Sequence, residues 1–409
     1  MLLPLASAAQ TNLVAALNAN IIPIKSIVPN DDFSDLQPLK VILKDKKLIG
    51  LGESAHGVGS FFLFKQRLLE FLVKKMGVKV LFTETDVAGT TTANNYILYG
   101  KGDLQQVHKD WATGVWATQE FMDMLEWLKQ YNAIQTDANK VQVFGFDMAR
   151  GDIAASLLQN HLAPGGHMTA TIQKGFEVLT KRGRTPEDIH VINDAIDQLN
   201  KVPFDLVDKQ AQFDQQLISI IAEYRDFIAP NTTANQNEKN DLRDKYMAQN
   251  IEWVYHYAGD QKAAIWSHSE HLTKTVNSTN IIRAGVYLNK TFKDDYYLLG
   301  LCFNNGTIKS APAPGNPTGI YEVPPANDEN NSDALFARCD EPNFILDFKK
   351  ASTNAVIKAY LNQTVTSYFI GSNYAAKAGT PQQYIQHKWA EGFDGIAFIR
   401  TVKAGTAIK

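Results

Sequence analysis

Only two cysteines occur in 409 residues, Cys302 and Cys339, in unlike contexts and without a Cys-x-x-Cys pair. That scarcity excludes a thiolate metal site and a disulfide-stapled scaffold, leaving room for one bridge in an oxidising compartment. A surplus of one charge is lacking too, since 40 basic residues against 43 acidic ones leave a net charge of −3. No bulk positive field exists to recruit phosphate backbones or anionic lipid, which argues against nucleic acid and membrane surfaces as partners. Apolar runs are short; tracts such as Leu298 to Phe303 have the length of strands, far below the ~20 residues of a spanning helix. Repeats and low-complexity tracts are also missing. With 44% hydrophobic residues, the chain has a globular composition.

The first ten residues, Met1 to Gln10 (MLLPLASAAQ), resemble the end of a signal peptide although the basic n-region is missing, so export is favoured over the cytoplasm. The alternative is a frayed segment leading into a helix from about Ala8 to Asn18.

What is present is alternation. Six β-rich runs stand out: Lys47 to Gly52, Lys79 to Thr85, Val141 to Asp147, Ala263 to His268, Tyr296 to Phe303 and Gly395 to Arg400. Several are apolar nearly throughout, as expected of strands covered on both faces. Between the first two, Phe61, Phe64, Leu68, Leu69, Leu72 and Met76 recur at helical spacing up to Gly77, and a second helix is expected over about Ala117 to Tyr131. This grammar predicts an α/β fold: a mostly parallel, doubly wound sheet with helices on both faces. From Ile153 to Tyr257 only helical patterns occur, punctuated at Pro164 to Gly166, Gly183 to Pro186 and Pro230 to Asn235. The expected division is therefore an α/β domain over 1–152 and 258–409, split by a helical lobe over 153–257. Pro312, Pro314, Pro317, Pro324 and Pro325 fall between Asn304 and Asn343, where irregular structure or a small hairpin layer is expected.

Residues capable of chemistry collect where the strands end: Glu53 and His56, Glu84 and Asp86, Asp147, then His268 and His271. In open α/β sheets, ligands bind beyond the carboxyl ends of the strands, so four strands would deliver these groups to one crevice. A lone acid after a strand is more often a helix cap. Gly50-Leu-Gly-Glu-Ser-Ala-His-Gly57 lacks the third glycine of a dinucleotide fingerprint and sets Glu53 where pyrophosphate would lie, so nucleotide binding is disfavoured. It also lacks the last glycine of a nucleophile elbow, yet Ser54, Asp147 and His268 or His271 follow the chain order of a serine-hydrolase triad, which stays open as an alternative. Otherwise Glu53-x-x-His56 and His268-Ser-Glu-His271, with Glu84 between them, suit a histidine base for water and a second imidazole as donor or acid. The same side chains could ligate zinc or manganese, although the spacing matches no closed zinc pattern.

With these residues in view, the chain resembles the erythromycin esterase family, which takes in succinoglycan-biosynthesis-like proteins. The resemblance rests on ordered blocks: Leu48 to Gly57, Phe61 to Leu72, Phe82 to Asp86, Trp116 to Glu120, Phe144 to Met148, Arg243 to Asn250, Trp266 to His271 and Phe393 to Phe398. It implies hydrolysis of an ester or lactone, best known in the family for opening macrolide rings, without a cofactor. It sets His56 as general base, Glu53 and Glu84 as essential carboxylates, His268 as second imidazole, and Lys65 or Arg67 as the basic residue of the following helix. Ser54 is not the nucleophile in that pattern, and Ser269 stands where asparagine is common. His271 and Asp147 are supporting candidates, and Trp111 and Trp116 are candidate ligand contacts whose alternative role is packing. Phe204, Leu206, Phe213, Leu217, Tyr224 and Phe227 could wall a wide cleft, but their period suits the core of the helical segment itself.

Overall fold

Strands covered on both faces must be apolar on both faces, and the six such runs form the parallel centre of one sheet. A computed structural model describes residues 3–181, 184–229, 236–276, 278, 280–312, 316–372, 374 and 383–408, with side chains from residue 10 onward. Met1, Leu2, Gly183, segment 230–235 and Pro314 lie outside the described residues. The strands are β1 Ile22–Pro23, β2 Leu48–Glu53, β3 Val80–Asp86, β4 Gln142–Asp147, β5 Ala263–His268, β6 Tyr296–Lys309, β7 Ile320–Val323, β8 Asn343–Asp347, β9 Val365–Tyr368, β10 Tyr384–His387 and β11 Gly395–Val402.

Main-sheet order is β1-β8-β11-β6-β2-β5-β3-β4, with β7 paired to β6. From β11 to β4 every pair is parallel; β8, β1 and β7 add antiparallel edges. Alternate side chains of these strands feed two cores. Ile49, Leu51, Leu81 and Trp266 pack with Phe61, Phe64 and Leu68 of the helix Gly59–Met76, whereas Leu48, Phe82 and Ile265 pack with Ala284 and Leu288 of the helix Ala284–Phe292. The chain therefore leaves β2 over one face and β5, its neighbour, over the other. That divergence is a topological switch point, the place where such sheets open a ligand crevice.

Helices Gly151–Leu162, Ala170–Leu179, Pro186–Leu199, Lys209–Ile228 and Gln236–Tyr257 separate β4 from β5. Residues of the first four form a third core with Val87, Ala88 and Met148, at the ends of β3 and β4. Phe213 and Leu217 are buried in it, Phe204, Tyr224 and Phe227 pack against it, and Leu206 is exposed. In the proline-rich tract β6 runs on to Lys309 and pairs with β7, and a helix Ser332–Phe336 follows among the described residues. Cys302 and Cys339 are free, buried thiols, so the bridge left open by the sequence is not formed. Among the described residues no helix is long and apolar enough to cross a membrane.

Candidate active site

Three adjacent strands, β2, β5 and β3, end side by side and bring Glu53, His268 and Glu84 together. After β2 the chain turns through Gly57, at φ +70°, where a Cβ would lie 1.8 Å from the carbonyl oxygen of Lys309. Only glycine tolerates that position. The turn folds His56 back on Glu53, with His56 Nδ1 at 2.9 Å from Glu53 Oε1. Lys65, on the helix that follows, donates from Nζ to Glu53 Oε2 at 2.7 Å. Burial works against the Glu53 carboxylate, but the Lys65 ammonium and the His56 ring outweigh it and hold its pKa below the ordinary value. Burial also lowers the Lys65 ammonium, which the Glu53 charge opposes.

The β3–β4 register is broken between Thr83 and Asp86. Glu84 sits in that irregularity and reaches back to β5: Ser267 Oγ and the His268 backbone N–H each donate to its Oε2 at 2.8 Å. Its Oε1 lies 3.4 Å from His271 Nε2 and 3.8 Å from His56 Nε2. Burial disfavours the Glu84 charge, but His271 first, then His56 and Arg243, hold its pKa well below the usual carboxylate range. Burial likewise opposes a charged His271, but Asp244 and Glu84 push its pKa up to about 10, so it is an imidazolium at neutral pH. Asp244 supports it through Oδ1 at 2.7 Å and accepts from Arg283 Nη1 at 2.9 Å through Oδ2.

His268 behaves oppositely. Its Nδ1 accepts the N–H of Glu270 at 3.2 Å, capping the turn Ser269–Leu272. Burial, then the nearby His56, push its pKa down to about 3. A neutral ring whose Nδ1 is an acceptor carries its proton on Nε2, and Nε2 has no partner among the described residues. His56, with Nδ1 on an ionised carboxylate, is the converse tautomer when neutral, its lone pair on Nε2. The two ring centroids are 4.8 Å apart. A proton acceptor and an unused donor thus stand side by side over Glu84.

The structure separates the remaining candidates. Lys65 and Arg67, two apart on one helix, face different sides. Arg67 points away from the cluster into a bidentate pair with Asp35, 3.0 and 2.6 Å, and also donates to the carbonyls of Ser26 and Asp32. It anchors the fold, so Arg67→Ala, leaving Asp35 buried without its charge partner, should cost about 3–5 kcal/mol in denaturant unfolding. Trp111 and Trp116, offered as ligand contacts, are only 2% and 4% exposed. Both pack at tilted angles against Phe121 in an aromatic core, and Trp116 also meets Phe62 and Trp266 edge-on, so packing is their role. Trp266 in turn lies 5.2 Å from the Lys65 ammonium, one layer behind the cluster.

No serine triad assembles among the described residues. Ser54 Oγ is buried without a partner among the described residues, and Asp147 is held by Arg243 at 2.5 and 3.2 Å instead of by a histidine. Ser269 Oγ also lacks a partner among the described residues and sits where a Cβ on Gly52 would come within 2.5 Å, so this small side chain fits against bare β2 backbone. Sequence reasoning missed Asp244, Arg283 and Ser267 as site residues. Asp244 had a signal: it heads the stripe Met247, Ala248, Ile251, Val254, where an acid is 0% exposed among apolar neighbours. A cavity of about 580 Å³ lies elsewhere, between the β4 edge and helices Thr90–Tyr99 and Lys209–Ile228, and shares no residue with the strand-end cluster.

Comparison with known proteins agrees with this architecture. The family model described as erythromycin esterase matches residues 73–402. Erythromycin esterase type II of Escherichia coli is 22% identical over 335 residues, 70% of this chain and 75% of that protein. The crystal structure of a succinoglycan biosynthesis protein shares the fold at a TM-score of 0.83 and 22% identity, covering 98% of this chain and 99% of that one. An erythromycin esterase mutant in its open conformation shares it at 0.63 and 16%, covering 92% and 96%.

Proposed function

Because the chain belongs to the erythromycin esterase family, we propose that it hydrolyses an ester or lactone bond of a small molecule, a macrolide ring above all, by water that His56 activates. The observation that carries this reading is the pairing of complementary tautomers, an acceptor on His56 beside a donor on His268. The 3.8 Å between His56 Nε2 and Glu84 Oε1 is too long for a hydrogen bond and suits a water donating to both. Its oxygen attacks the carbonyl carbon while its proton passes to His56 Nε2, and Glu53 stabilises the imidazolium that forms. The oxyanion accepts from His268 Nε2–H, a donor already in place before charge develops. Collapse breaks the carbon–oxygen bond, and the leaving alkoxide takes the proton back from His56. Acid and alcohol result, with one water consumed.

Incubation with macrolides of several ring sizes and with simple aryl esters, followed by mass spectrometry, tests this directly. A gain of one water is expected; no such product across the panel would favour a non-catalytic binding protein.

The reaction is proposed to proceed without a metal. Supporting this, the Lys65 ammonium and the charged His271 already neutralise Glu53 and Glu84, so a zinc or manganese ion would have to displace two cations. Activity is therefore expected to survive exhaustive chelation; its loss together with stoichiometric bound zinc would overturn the proposal.

A further inference from the structure

The ribbon of β9 and β10 stands outside the main sheet, yet its end is tied to the loop that carries His56. Ile370 N–H donates to the Ser54 carbonyl at 2.7 Å, and His56 N–H donates to the Ile370 carbonyl at 3.1 Å. Ala55 and Ile370 form a parallel bridge, and Phe369 N–H donates to the Gln383 carbonyl at 2.9 Å. These bonds fix the backbone on both sides of Phe369. Its ring meets His268 in a T-shaped contact, with centroids 5.2 Å apart and planes at 87°. His268 is 3% exposed and Phe369 is partly buried, packed against the second core with its ring 6.4 Å from that of His387, so part of the phenyl surface stays open beside the imidazole. Nothing in the hydrolytic chemistry requires an aromatic ring there, and the machinery is otherwise built of charged and polar groups. An apolar surface anchored beside the oxyanion donor contacts whatever part of an ester lies next to its carbonyl.

We propose that Phe369 is a specificity-determining residue, an apolar wall beside His268 that favours esters whose acyl or alcohol portion is bulky and apolar. The inference rests on the hydrolytic reading of the same site. Its test compares wild type, Phe369→Ala and Phe369→Leu on 4-nitrophenyl acetate and 4-nitrophenyl octanoate, with thermal midpoints recorded for each. Calorimetric binding of erythromycin to His56→Ala, with and without Phe369→Ala, adds a readout independent of turnover. Removing the ring is expected to cut the octanoate-over-acetate preference in kcat/KM by about tenfold, chiefly through KM, and to weaken macrolide binding by a similar factor. Leucine should restore most of both. Equal losses on the two esters, or an unchanged preference with unchanged binding, would show a mere spacer and overturn the proposal. If wild type turns over no ester but Phe369→Ala still weakens binding, the hydrolytic reading fails and the wall stands.

Discussion

Replacing His56 by alanine is expected to lower kcat/KM for ester hydrolysis by a factor on the order of 10²–10⁴, the range of a positioned general base, while Ser54→Ala keeps most of the activity. The contrast follows from the contacts of the two side chains. His56 is held on Glu53 at 2.9 Å, and its Nε2 faces Glu84; Ser54 Oγ touches no base among the described residues. Glu53→Gln should fall between the two in rate. Its amide oxygen can still accept from His56 Nδ1, but it no longer balances the imidazolium, and it strands the buried Lys65 ammonium, so this variant alone should also unfold more easily. Steady-state kinetics with thermal melts would separate the effects. Loss of turnover in Ser54→Ala with retention in His56→Ala would instead establish a serine nucleophile.

The two histidines after β5 are perturbed in opposite senses, so His271 should contribute a loss of stability on the alkaline side and His268 a loss on the acid side. His271 is raised to about 10 in the folded protein, so its contribution is fully present below its unfolded pKa of about 6.5 and is lost as pH rises through 10. His268 is lowered to about 3, so between 3 and 6.5 the unfolded chain binds the extra proton, and stability falls as the solution is acidified. The His271 contribution is on the order of 5 kcal/mol across its window. Chemical denaturation at a series of pH values should show an alkaline decline in wild type that is shallower in His271→Gln. A variant that kept the full decline would assign it to other groups.

The parallel strands were legible because burial on both faces leaves a mark in composition: Ala263 to His268 reads the same in sequence and structure. β1 and β8 were not, the first being two residues with a proline, the second following a proline-rich tract that reads as loop. At the site, position along the chain was readable and direction was not. That Glu53, Glu84, His268 and His271 follow strands could be seen, and they do meet. Whether Lys65 or Arg67 turns inward depends on the helix's rotation about its axis, and whether Trp111 and Trp116 face a ligand or a core depends on what packs above them. Asp244 escaped because its partner His271 is 27 residues away on another element.

The slot that β5 occupies was described above as a switch point, and it also constrains the order in which the chain can mature. β2 and β3 are made early and lie on either side of a strand made 183 residues after Glu84, as the Ser267–Glu84 bond records. Until β5 arrives, the two earlier strands present unpaired edges to each other across its place. Direct pairing of β2 with β3 would close the sheet without the site. The crevice is thus completed by a strand inserted between two earlier ones and not by growth at an edge, and β11 enters the same sheet in the same way later, between β6 and β8.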